Sequence, residues 1–167
     1  MNAKAGLALE CERMATATRD DALRILGEFL GGDDHYRASA AGYGDGGRPA
    51  LERALDLFLA HPETGFVWLA FAHAHRREAI AACVVCFAIS TARGTFVAKL
   101  DDVSVTPAWQ GRGVGGAMLR ALADSLRADG VTRIDSSCHR DNADAWRFYE
   151  RLGFRALDEE RIAWLLA

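Results

Sequence analysis

The chain is short of most features that mark a special environment. Its longest wholly apolar run, Ala79–Ile89, is too short to span a bilayer, so no membrane partner is expected. The opening stretch MNAKAGLALECER lacks the apolar core of a secretory signal, which makes the cytoplasm the expected compartment. There is no excess of positive charge. A net charge of −3 gives no polyanion footprint, and nucleic acid is excluded as a default partner. Low-complexity tracts, internal repeats and linkers are missing, so 167 residues read as one domain. Cysteine is scarce too: Cys11, Cys83, Cys86 and Cys138 read as reduced thiols. Cys83 and Cys86 have redox-motif spacing, but AIAACVVCFAI reads as a buried strand that points them to opposite faces.

What is present is a regular succession of apolar patterns. LALECERMA (7–15) alternates as a first strand, and Thr18 caps a helix running to about Leu30, which Gly31 and Gly32 end. The segment 31–48 reads as a polar, glycine-rich loop. A second helix starts at Pro49 and carries Leu51, Leu55, Phe58 and Leu59 on one stripe. FVWLAFAHA, AIAACVVCFAIS and TFVAKLDDVSV read as three successive antiparallel strands. Val114 to Leu126 keep helical spacing until Gly130, VTRIDSS is a short strand, and Asp141 caps a helix ending near Gly153. FRALDEERIAWLL supplies the last strand material. The expected fold is mixed α/β (α+β): a mainly antiparallel sheet of six to seven strands flanked by about four helices.

The densest signal is VTPAWQGRGVGGAML, with Gly111, Gly113, Gly115 and Gly116 between a strand and a helix. Gly111, Gly113 and Gly116 satisfy the letters of G-x-G-x-x-G, and Asp135 lies near the distance expected of a ribose-binding acid. A dinucleotide-binding oxidoreductase is therefore one reading. Three features oppose it. TPAWQ separates strand from glycines, three antiparallel strands come first, and too little chain follows for further βα units. The physical alternative is a phosphate cradle. First-turn amides of a helix have no ladder partner, and without side chains a pyrophosphate can approach them and meet the helix dipole. Arg112 can add a charge-assisted contact.

Gln110-Gly-Arg-Gly113-Val-Gly115 resembles the [Q/R]-x-x-G-x-[G/A] acyl-CoA signature of the GNAT N-acetyltransferase superfamily, and DNADAWRFYERLGF resembles the helix that follows it there. The resemblance covers residues 95–155 in detail. It implies binding of acetyl-CoA through Gln110, Gly111, Arg112, Gly113, Val114, Gly115 and Gly116, and transfer of its acetyl group to a primary amine in a ternary complex. It implies backbone contacts from Val103 and Val105 to the pantetheine amides, and pantetheine contacts from Asn142, Ala145 and Tyr149. Gln110 stands where arginine is commoner, which removes one positive charge. Homodimers are frequent in the family, and no metal is implied.

The chemistry needs two proton transfers. An alkylammonium with a pKa of about 10 must lose a proton before attack, and the thiolate leaving group, of thiol pKa about 8.5, gains from receiving one. Tyr149 is the expected acid, protonated at neutral pH and on one stripe with Asn142, Ala145 and Leu152. Asp101 is the expected base, on one strand face with Val103 and Val105 and opposite Asp102. A non-catalytic acyl-CoA-binding module stays open as a second class. Asp33, Asp34 and Asp101 favour a cationic small-molecule amine as acceptor, with DDHYR (33–37) able to shape its pocket. Cys138 beside His139 raises a nucleophile, but adjacent residues of an extended chain point apart. His73 and His75 share a strand face without a third metal ligand.

Overall fold

The eight residues of the second strand, GFVWLAFA, are all buried, so this strand has helices on both sides. The computed structural model describes residues 9–34, 37, 46–72 and 78–157. In chain order its elements are β1 (Leu9–Arg13), α1 (Arg19–Gly32), α2 (Gly47–Ala60), β2 (Gly65–Ala72), β3 (Ala79–Ser90), β4 (Thr95–Val105), α3 (Val114–Ala128), β5 (Ile134–Ser136) and α4 (Ala143–Arg151). One open sheet runs in the order β1-β2-β3-β4-β5. Its first three pairings are antiparallel and the last, β4 with β5, is parallel.

Alternation along β2 divides the core in two. Phe66, Trp68 and Ala70 pack with Met118, Leu122 and Leu126 of α3, while Val67, Leu69 and Phe71 pack with Ile25 and Leu26 of α1 and Leu55 of α2. Cys83 and Cys86 fall on opposite sides of this divide, as their spacing predicts. Among the described residues no helix is long and apolar enough to cross a membrane.

Several expectations need correction. Five strands, not six or seven, are present among the described residues; of the expected last strand, 154–157 has no strand structure and the rest lies outside the described residues. Helix α1 runs through Gly31 and Gly32 and ends at Asp33, because neither glycine adopts a left-handed conformation. The Thr18 hydroxyl does not cap α1; its Oγ1 accepts from the Ala15 N–H at 3.0 Å and closes the preceding turn. Helix α2 starts at Gly47 rather than Pro49. Asn142, not Asp141, caps α4: its Oδ1 accepts from the Ala145 N–H at 3.0 Å. Gly130 does close α3 as predicted, with φ of 79° and the Val131 N–H reaching back to the Leu126 carbonyl.

Candidate active site

The site grows from two irregularities in β4. Its parallel pairing with β5 lasts for Ala98↔Ile134, Lys99↔Asp135 and Leu100↔Ser136, then β5 ends while β4 continues to Val105. The sheet therefore splits after Leu100. Pro107 lies beyond the split and opens a single 3-10 turn, Pro107–Trp109. On the other side, the β3–β4 register shifts between Ala82 and Val84, so Asp102 and Val103 lie across from Cys83 alone. Asp102 takes the strain of this bulge, with φ of 50°, and is the one described non-glycine residue at positive φ.

The bulge reverses the alternation. Asp101 pairs with Val84, which belongs to the α1–α2 core, whereas Val103 and Val105 pack into the α3 core. Asp101 thus does not share a face with Val103 and Val105, contrary to simple strand periodicity. What Val103 and Val105 do share is an edge. The Thr106 N–H donates to the Ile80 carbonyl on β3 at 2.9 Å, so by alternation the backbone groups of Val103 and Val105 point away from β3, into the split. The Val105 carbonyl there accepts from Gln110 Nε2 at 2.9 Å. Gln110 therefore ties the glycine loop to the strand end.

The glycines divide by task. Gly111 and Gly113 hold φ of 69° and 82°, a left-handed turn open to glycine, and a Cβ on either would meet no atom within 4 Å. Gly113 caps α3, and the first ladder bond runs from the Ala117 N–H to its carbonyl at 3.0 Å. The amides of Val114, Gly115 and Gly116 precede that ladder and have no partner within the helix. Gly115 has a different reason: a Cβ there would stand 3.3 Å from the Phe148 ring and 3.4 Å from Val105 Cγ2, so it lets α3 approach α4 and β4. Val114 is buried and serves the core. Arg112 lies over the Trp109 ring, 5.3 Å from its centroid, beside the cradle.

Tyr149 reaches the split from the α3 side. Its ring makes edge contacts with Phe148 and Phe154, each at 5.2 Å between centroids. Burial pushes its phenol above the ordinary value, and the nearby Ser136 hydroxyl offsets part of that. The Ser136 Oγ is itself buried, without a hydrogen-bond partner in the structure, at the residue where β5 stops. Tyr149 and Ala145 are half-buried; Asn142 spends its carbonyl oxygen on the cap.

The two carboxylates differ. Asp101 is ion-paired with Lys99 Nζ at 2.9 Å. Burial, then the negative charge of Asp101, raises the Asp102 carboxyl to about 6, with Lys99 opposing. Asp102 is the residue that sequence periodicity passed over, since nothing in KLDDVSV announces the bulge. The thiols are poor nucleophiles: burial raises Cys11, to about 11, as well as Cys83, Cys86 and Cys138. Among the described residues no cluster of three metal-ligating side chains occurs, and His73 and His75 lie outside them. On the α1 face, a groove of about 250 Å³ runs between α1 and the end of β4, ending at Gln110. The mainly antiparallel sheet also overturns the dinucleotide reading, which needs consecutive parallel βα units.

Comparison with known proteins agrees with this geometry. Residues 33–154 match the model of the Acetyltransferase (GNAT) family. A glucosamine 6-phosphate N-acetyltransferase of Trypanosoma brucei brucei is 35% identical over 72 residues, 42% of this chain and 46% of that protein, so the match spans under half of that relative's length. In solved structures, a possible acetyltransferase from Clostridium difficile 630 superposes with a TM-score of 0.77 at 11% identity, over 95% of this chain and 98% of that one. The glucosamine-6-phosphate N-acetyltransferase of Arabidopsis thaliana superposes with a TM-score of 0.65 at 13% identity, over 94% and 98%. These likenesses show the shared fold, and the family match covers well over half of the chain. The protein belongs to the GNAT acetyltransferase family.

Proposed function

We propose that the protein moves the acetyl group of acetyl-CoA to a primary amine by direct attack in a ternary complex. One observation carries this reading: beyond Leu100 β4 has lost its β5 partner, and Val103 packs there in one cluster with Val114 of the first α3 turn and Tyr149. A cosubstrate with a diphosphate, a chain of amides and a thioester fits that sequence of surfaces. Acetyl-CoA would supply the activated acetyl group; every other task falls to the chain.

The amides of Val114 to Gly116 would hold the diphosphate, with Arg112 adding charge. Val103 would offer its amide groups to the pantetheine as a neighbouring strand would. Tyr149, kept protonated by burial, would donate from its hydroxyl to the leaving sulfur. Of the two acids, Asp102 suits the base role better than the expected Asp101. Its carboxyl, raised to about 6, is mostly ionised at neutral pH yet basic enough to take a proton, while Asp101 is held by Lys99. With every described thiol pushed up by burial, an acyl-cysteine route has no activated nucleophile. The experiment is thiol release from acetyl-CoA with a panel of primary amines. Turnover with none of them, alongside retained CoA binding, would favour the non-catalytic module.

A second test isolates the cradle. Gly113→Ala should weaken CoA binding about tenfold or more in calorimetry, since a Cβ at φ of 82° strains the turn that presents the first amides of α3. Gly130→Ala imposes a similar left-handed strain at φ of 79°, far along the chain at the other end of α3, and should lower the melting temperature alone. Equal CoA affinity in both variants would remove the phosphate role from this loop.

A further inference from the structure

The groove on the α1 face has a composition of its own. Ile25 and Phe29 form its apolar side on α1, Ser104 and Thr106 bring hydroxyls from the end of β4, and Glu28 and Asp33 are its ionisable lining residues. No lysine, arginine or histidine lines it among the described residues. Glu28 has no ion-pair partner there, unlike Asp101, held by Lys99, and Asp34, an exposed carboxylate with Arg37 at 3.7 Å. The groove and Tyr149 also lie on opposite faces of the sheet: α1 covers one and α4 the other. An amine entering along α1 would reach the split from the side away from the phenol, so that proton removal and proton donation occur at separate ends of the reacting bond.

Resting on the acetyl-transfer reading above, we infer that this groove is the acceptor site, and that it selects small amines with a short aliphatic spacer and a second cationic group, held by Glu28. A diphosphate does not belong between two carboxylates. The cosubstrate's anionic end therefore stays at the α3 cradle, and the groove is left for the acceptor. An anionic acceptor would find no matching charge among the described residues of the groove wall, so a sugar-phosphate amine of the kind named for the trypanosomal relative fits it poorly.

The test uses three amines with a four-carbon chain: 1,4-diaminobutane, butylamine and 4-aminobutanoate. The whole enzyme should show a kcat/KM for the diamine about tenfold above butylamine, and higher still above 4-aminobutanoate. Glu28→Gln should erase that preference through the KM for the amine, with the KM for acetyl-CoA unchanged. Glu28→Lys should reverse the preference towards 4-aminobutanoate; Glu28 is an exposed helix position, so both variants should fold. Equal rates with the three amines in the unaltered enzyme overturn the inference. So does a Glu28→Gln defect that falls on acetyl-CoA, because the groove would then belong to the cosubstrate. If none of the amines turns over, calorimetry of 1,4-diaminobutane with the CoA-bound enzyme decides: binding lost in Glu28→Gln supports the site, and no binding overturns it. Failure to bind CoA at all would sink the underlying reading as well.

Discussion

Replacing Tyr149 with phenylalanine is expected to lower kcat by about 10²-fold or more while leaving CoA affinity and the melting temperature nearly unchanged. The substitution removes one oxygen and keeps the ring. The edge contacts with Phe148 and Phe154 therefore survive, and so does the packing of α4 against the α3 core. What disappears is the proton held beside Ser136 at the mouth of the split. Because burial raises the phenol, no basic limb from Tyr149 is expected below pH 10, and the loss should be uniform across the neutral range. Thiol release and CoA calorimetry on the same preparation check both halves. Full activity in Tyr149→Phe would assign proton donation to solvent and leave the tyrosine a packing residue.

The sequence makes the site legible in unequal parts. The glycine loop was readable because backbone needs are written directly into residue type: positive φ at Gly111 and Gly113 calls for glycine, and no partner elsewhere changes that. The helix following it was equally plain, since Val114, Met118, Leu122 and Leu126 declare one buried stripe. β2 and the first seven residues of β3 announced themselves as continuous apolar runs because both of their faces are covered. Gly115 also lets α3 approach Phe148 and Val105, a long-range fact that no local pattern encodes. The largest failure was at KLDDVSV. A period of two held up to Asp101 and broke at Asp102, because the bulge depends on how β4 meets β3 rather than on β4 alone. That one inserted residue turned Val103 and Val105 to the α3 face, away from Asp101, and singled out Asp102. Glu28 escaped notice for a similar reason, since nothing in RILGEFLGG tells that its helix runs along the end of β4.

Asp102→Asn should give an enzyme that is more stable at pH 8 and nearly inactive. Asparagine tolerates the left-handed conformation at φ of 50° at least as well as aspartate, so the bulge should persist. The charge is what changes. The folded-state carboxyl titrates at about 6 against an ordinary 3.8, so between those values the native chain holds a proton that the unfolded chain has released. Stability therefore falls as pH rises through that window, and it is fully present only below about 4. Removing the carboxylate flattens that slope. After allowance for partial exposure, the gain above pH 6 should be on the order of 1–2 kcal/mol, with little difference at pH 4. Thermal melts of both proteins at the two pH values measure this. In kcat/KM, the acidic limb near pH 6 should vanish along with about 10²-fold of the rate, since the ammonium loses its base. If the limb and the rate survive here but not in Asp101→Asn, the base is Asp101, and the bulge serves only to turn it towards α1. A carboxylate that weakens the fold at working pH and sits in a strained turn has an obvious replacement in asparagine; its presence at the split is best accounted for by the proton it can accept there.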